Sequence, residues 1–326
     1  MSSFDDPRII VYTNSANIGQ TKSLNVGLKL AKGRYVIIND ADDLSLPTRI
    51  EKQLEFIMNH PDFVAVGTSS YIMDRAGNTR RSFLKPTDPR VILLSVFSDT
   101  PIIHGSVIID KQAVLSVGGY NEQFRICQDY ELWSSLIRNG KNIANIPDIL
   151  VVIRHYMDSV SFREKDAQTL ENGIIMLANI TAMTSLRISL DEAIRQRIFF
   201  TSPERLDEDA FFAAEKMFIT EYECLNNRHI FDDRLIENDL KKRMIKPYCK
   251  LALSKIRAGR MKEARKITSL FAAKYGFSVM PFVIGKVSHT GRTVATGILN
   301  YYEKYQKLSV DWIRYLHGAY DNKRCS

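Results

Sequence analysis

The 326-residue chain has little of what builds small stapled or fibrous proteins: 4 cysteines, 10 prolines and 16 glycines. Cys127, Cys224, Cys249 and Cys325 stand far apart with no CxxC pair, which excludes a disulfide scaffold or zinc ribbon. Such cysteine usage points to a reducing, cytoplasmic home. With 45% hydrophobic and 25% charged residues, collagen-like, low-complexity and largely disordered classes are excluded as well. No apolar run approaches the roughly 18 residues of a membrane span. Met1–Pro7 carries acids in place of a basic then apolar stretch, so no secretory signal is expected there.

Charge is present but unevenly spread. Residues 241–326 hold 19 Lys and Arg against 4 Asp and Glu, a balance of +15; the first 240 residues hold 26 against 33, or −7. With about 150 residues per domain as a prior, the length predicts two units with different tasks. An α/β unit over 1–165 and a basic α-helical unit over 166–326 are expected.

Local pattern supports that division. Arg8–Thr13 and Arg34–Asn39 read as strands and Gln20–Lys32 as a helix closed by Gly33. Ser45 and Pro47 are expected to open a helix whose buried stripe is Ile50, Leu54, Ile57 and Met58. Strands over Phe63–Asp74 and Gly105–Asp110, a short helix to Val117, a Gly118-Gly119 break and a helix over Asp129–Arg138 complete a mainly parallel α/β pattern. Beyond Asp166 the segments 166–186, 189–199, 207–225, 234–257, 260–274 and 296–317 read as amphipathic helices, with a hairpin turn at Arg257–Arg260.

Two clusters carry chemistry. Asn39-Asp40-Ala41-Asp42-Asp43 follows an apolar strand, and ligands in open α/β sheets lie at the carboxyl ends of strands. Oxygen donors there suit Mg²⁺ or Mn²⁺ held by one or two carboxylates plus substrate phosphates. The bare triplet is equally a solvated loop capping the next helix. Gln128-Asp129-Tyr130-Glu131-Leu132-Trp133 sets Asp129 at a helix start, where the dipole favours its ionised form. Such a carboxylate is either an ordinary first-turn acid or, at a cleft, a general base towards a hydroxyl.

In order and spacing, these clusters and their neighbours resemble glycosyltransferase family 2. The resemblance runs over residues 4–162 through Asn17-Ile18-Gly19, Ser23-Leu24-Asn25, Ala31-Lys32-Gly33-Arg34-Tyr35, the acid loop, Leu46-Pro47 and Arg49. It continues through Asn59-His60-Pro61, Val66-Gly67, His104-Gly105-Ser106, Gly118-Gly119-Tyr120-Asn121-Glu122, Gln128–Trp133, Asn145-Ile146-Pro147, Arg154-His155 and Ser159-Val160-Ser161. It implies a GT-A (nucleotide-diphospho-sugar transferase) Rossmann-like mixed sheet, followed here by helices. It also implies a nucleotide-sugar donor, a divalent metal (Mn or Mg) and an inverting transfer to a glycan or lipid-linked acceptor.

Residue by residue, the resemblance makes Asp129 the base, Asp40 a contact to ribose or metal-bound water, and Asp42 a ligand of the metal on the diphosphate. Lys22 and Asn25 fall in the segment that approaches the nucleotide, with an exposed helix lysine as the alternative for Lys22. His104, Gln128 and Trp133 fall on the acceptor and donor-sugar side, with packing roles as the alternative for His104 and Trp133. Arg154-His155 matches where some members contact diphosphate. The family's first strand–helix–strand, at least about 30 residues, has no counterpart before Arg8, so the matching part is amino-terminally truncated and weak donor binding is expected.

Residues 241–326 interleave basic and aromatic side chains, and Phe277–Ile284 is apolar. That pattern points to anionic lipid at the inner membrane face, where each basic residue contributes about 1 kcal/mol. No specific nucleic-acid motif accompanies the charge. The expected function is surface polysaccharide biosynthesis. The alternative is a catalytically impaired scaffold or partner subunit in a glycan-assembly complex.

Overall fold

In the computed structural model, residues 6–154, 163–226 and 233–276 are described. The strands of the first half sort their side chains by alternation, as a two-faced sheet requires. They are β1 (Tyr35–Ile37), β2 (Leu44–Ser45), β3 (Phe63–Met73), β4 (Thr79–Phe83), β5 (Ile108–Asp110) and β6 (Asn142–Arg154). Ala65, Ile109 and Ile143 enter one apolar layer with Leu28, Leu132, Trp133 and Leu136. Their neighbours Val66, Ile108 and Ala144 enter the opposite layer with Ile57.

The sheet order is β1-β5-β3-β6-β2, with β4 also on β3. Only β3 and β6 run parallel, which corrects the mainly parallel expectation. The tight Asp74–Asn78 turn admits only an antiparallel return into β4. Opposite β3 the register of β6 passes from Ile146 to Ile149, leaving out Pro147 and Asp148 where proline has no donor to offer.

Helices α1 (Gln20–Leu30), α2 (Arg49–Asn59), α3 (Pro89–Ser95), α4 (Lys111–Ser116) and α5 (Gln128–Arg138) cover and flank the sheet. Three local expectations are corrected. Arg8–Thr13 forms no strand, and Ile9 to Tyr12 are all at least half exposed. Ser45 does not cap a helix: it lies in β2, and its hydroxyl donates to Asn39 Oδ1 at 2.7 Å. The α2 stripe is shifted, because Ile50 and Met58 are exposed while Arg49, Gln53 and Ile57 are buried. The polar pair wins the inner face because unpaired strand and loop carbonyls there need donors.

Helices α6 (Lys165–Met183), α7 (Leu190–Thr201), α8 (Glu208–Asn226), α9 (Asp233–Arg257) and α10 (Met261–Tyr275) follow. Their core of Phe199, Phe211, Phe218, Tyr248 and Phe271 also takes in Leu94, Val96, Phe97, Phe124 and Tyr130 of the first half, so the two halves share one apolar cluster. Gly259, at φ 74°, turns α9 into α10 as expected. The expected helix over 296–317 and the apolar Phe277–Ile284 lie outside the described residues. No helix among the described residues is long and apolar enough to cross a membrane.

Candidate active site

Arg49 builds the site from below. Its side chain is fully buried and donates to Ile38 O at 2.7 Å, Ser45 Oγ at 2.8 Å and Asn39 Oδ1 at 3.2 Å. Gln53, one turn on, donates to Val66 O and Ser106 O at 2.5 and 2.9 Å. The end of β1, the acid loop and the 3-10 turn His104–Ser106 are thereby tied to one helix. Burial lowers the Arg49 pKa to about 10 against the opposing pull of Asp40 and Asp43, so the guanidinium stays charged at neutral pH.

Above it the acids converge. A Cβ added to Gly105 would stand 2.9 Å from Asp40 Oδ2 and 3.1 Å from Asp43 Oδ2, so two carboxylates face one bare backbone position. Burial, followed by the Asp40 and Asp42 charges, pushes the Asp43 pKa up to about 6, against a 2.9 Å hydrogen bond from the Arg154 N–H. Among the described residues no three His, Cys, Asp or Glu groups gather closely enough to hold a metal alone. The donor set fits a hard cation completed by ligand phosphates.

Next to Gly105, His104 Nε2 lies 2.9 Å from the Tyr120 hydroxyl. After burial, the charges that most raise the Tyr120 pKa are those of Asp129 and Asp40. Asp129 starts α5 and accepts from the Tyr130 N–H at 2.8 Å. Burial raises its pKa, while His104 and then Lys85 pull it back. His104 and Tyr120 thus meet beside the turn on which the acid loop converges, and Asp129 carries its charge from the neighbouring helix.

The remaining expected residues separate. Lys22 is exposed on α1. Asn25 accepts from the Tyr120 N–H and donates to the Tyr120 carbonyl, both at 2.9 Å, so it pins the loop that Gly118 and Gly119 turn at positive φ. Gln128 is buried, and its amide, oriented to satisfy both ends, donates to the Arg125 and Ile126 carbonyls at 3.2 and 3.1 Å. Trp133 is fully buried in the sheet core, with its ring centre 6.4 Å from that of His104. Arg154 turns to backbone, donating to Asp42 O at 3.3 Å and Arg75 O at 3.0 Å. His155 lies outside the described residues.

The family model described as "Glycosyl transferase family 2" matches residues 1–115. Residues 1–115 are thus similar to glycosyltransferase family 2. A relative is the "Amylovoran biosynthesis glycosyltransferase AmsE" of Erwinia amylovora, 32% identical over 155 residues that cover 48% of this chain and 58% of that protein. The "Putative glycosyltransferase EpsE" of Bacillus subtilis is 30% identical over 172 residues, 52% of this chain and 60% of that one. The Escherichia coli "UDP-Gal:alpha-D-GlcNAc-diphosphoundecaprenol beta-1,3-galactosyltransferase" is 29% identical, covering 47% and 55%. The chain spans about half the length of the curated relatives it matches. Among solved structures, S. aureus TarS 1-349 in complex with UDP-GlcNAc is 15% identical over 79% of this chain and 72% of that one, at a TM-score of 0.43.

Sequence reasoning about this family 2-like half missed Asp43, Tyr120 and Lys85 at the site. Asp43 was legible, being the third acid of the loop. Tyr120 stood in the Gly118–Glu122 motif without a role and Lys85 carries no pattern of its own; the fold brings Tyr120 to His104 and Lys85 to Thr100.

Proposed function

We propose that the protein transfers a sugar from a nucleotide-sugar donor to a glycan or lipid-linked acceptor in surface polysaccharide biosynthesis, by metal-dependent, inverting displacement. The observation that carries this reading is the convergence of Asp40 and Asp43 on Gly105, next to a histidine whose Nε2 lies 2.9 Å from the Tyr120 hydroxyl. Asp129 takes the proton of the acceptor hydroxyl as its oxygen attacks the anomeric carbon, and the bond from that carbon to the donor diphosphate breaks. Lys85 and His104 oppose the cost of burying the carboxylate and favour its basic form. Asp40 and Asp42, with Asp43 beside them, would hold the divalent cation, whose chemistry is to offset charge on the departing diphosphate. Arg49 keeps the carbonyls under that loop in place.

Relatives named for amylovoran biosynthesis and for a diphosphoundecaprenol-linked acceptor support the polysaccharide and lipid-linked class. The basic residues of α9 and α10 would draw the protein to anionic lipid at the inner membrane face. Release of nucleoside diphosphate from a panel of UDP- and GDP-sugars, with Mn²⁺ or Mg²⁺ and a lipid-linked acceptor, tests the transfer. Turnover is expected to vanish with EDTA and in Asp42→Ala. Metal-independent turnover, or none with any donor, sinks the reading.

A further inference from the structure

Lys85 and His104 hang on one short segment. Residues 95–104 leave α3, carry Thr100 and run directly into His104. The buried Lys85 side chain donates to Thr100 O at 2.7 Å, so this strap fixes the ammonium as well as the imidazole.

The strap owes its shape to the other half of the protein. Its consecutive carbonyls Val96, Phe97 and Ser98 accept from Asn179 of α6, Gln196 of α7 and Arg197 of α7 at 2.9, 3.0 and 2.9 Å. Arg243 of α9 donates to Ser98 Oγ at 2.7 Å and to Ser95 Oγ at 3.0 Å. Arg243 is itself held by Asp239 at 2.7 Å, and that carboxylate accepts from the Tyr222 hydroxyl of α8 at 2.7 Å. Three backbone carbonyls in a row, each captured by a side chain of the helical half, is more than packing two apolar faces requires. Solvation of such a segment by protein side chains selects one backbone path where water would permit many.

We infer that the helical half is a positioning scaffold for the candidate site: Arg197 and Arg243 hold the 95–104 strap, and the strap holds Lys85 through the Thr100 carbonyl and sets His104 against the Tyr120 hydroxyl. Neither arginine touches the site, so both are positioning residues. The effect on turnover rests on the proposed function, whereas the hold on the strap does not. Burial lowers the Lys85 pKa and the Asp99 and Asp129 charges raise it, so this cation is sensitive to where the strap places it.

The test uses the full chain and three variants: Ser95→Ala/Ser98→Ala, which frees the strap from Arg243 and leaves the Arg243–Asp239 pair whole; that double variant with Arg197→Met added; and Arg197→Lys. Amide exchange in residues 96–104 is expected to quicken about tenfold in the triple variant, with β3 and β6 unchanged. Carbethoxylation of His104, 9% exposed, is expected to quicken with it, and Arg197→Lys to stay near wild type. In the donor assay kcat falls about tenfold while donor KM stays within twofold, as displacement of groups beside the base requires. Unchanged exchange in the strap, or loosening spread evenly through the sheet, overturns the inference. A loosened strap with unchanged kcat overturns its catalytic part. If the wild-type chain turns over no donor, the proposed function falls, and the exchange and carbethoxylation results alone decide the scaffold.

Discussion

The two halves of the molecule bury polar groups to different ends. In the sheet half, Arg49, Gln53, Ser106 and His104 are buried beneath the acid loop, whose Asp40 and Asp43 carboxylates converge on Gly105. In the helical half the buried acids are closed off: Glu215 accepts from the Tyr248 and Tyr275 hydroxyls at 2.9 and 2.5 Å, and Asp239 from Tyr222 and Arg243. The first arrangement gathers acids at one bare backbone position, while in the second Glu215 and Asp239 are engaged by internal partners, which rigidifies. Burial alone therefore does not mark a functional acid.

Substitutions can break or sharpen this contrast. The largest effect belongs to the candidate site, where Asp129→Asn should lower donor-dependent transfer by about 10³-fold while leaving the urea midpoint nearly unchanged. If the variant keeps more than a tenth of wild-type turnover, Asp129 is not the base. Arg49→Met, in contrast, should affect both halves of the ledger. It strands the Ile38 carbonyl beside crowded acids and should destabilise folding by about 3–4 kcal/mol, read by chemical denaturation.

Glu221 offers the clearest case from the helical half. Burial pushes its pKa up to about 8, and one carboxylate oxygen has no partner, as has Gln196 Oε1. The native state thus binds a proton that the unfolded state releases near pH 4.5. Stability from this group is full below about pH 4.5, falls as pH rises, and levels off above about pH 8. Glu221→Gln should remove that slope and add on the order of 3 kcal/mol at pH 7. Equal denaturation midpoints for wild type and variant at pH 5 and pH 8 would contradict a buried neutral acid. Smaller again, Asn25→Ala should cost about 1–2 kcal/mol by freeing the Tyr120 loop. Smallest is Lys22→Ala: on an exposed helix face it should shift donor KM less than twofold, and a tenfold rise would return Lys22 to the phosphate site.

Much of this contrast was legible in advance, for identifiable reasons. The acid loop stood out because three carboxylates follow an apolar strand, and Asp129 because it opens a helix within a motif of the resemblance. The helices of the second half followed from apolar spacing, and α10 begins and ends within a residue of expectation. What escaped had no local signature. The inner face of α2 is polar because it meets carbonyls far away in sequence, so an apolar stripe pointed to the wrong side. Arg8–Thr13 has strand composition, but pairing needs a neighbour and the fold supplies none among the described residues. Asn25 looked like a ligand contact and serves a loop 95 residues on.

Residue identity and spacing by themselves determined the order of the main elements and the acids on offer, because charge, periodicity and turn propensity are short-range properties; the class of chemistry came from the resemblance those motifs carry. Only the tertiary structure decided that Asp40 and Asp43 converge on Gly105 and that His104 meets Tyr120. It alone joined the helical half to that site through three backbone carbonyls, because hydrogen bonds between distant segments depend on proximity that no local pattern records.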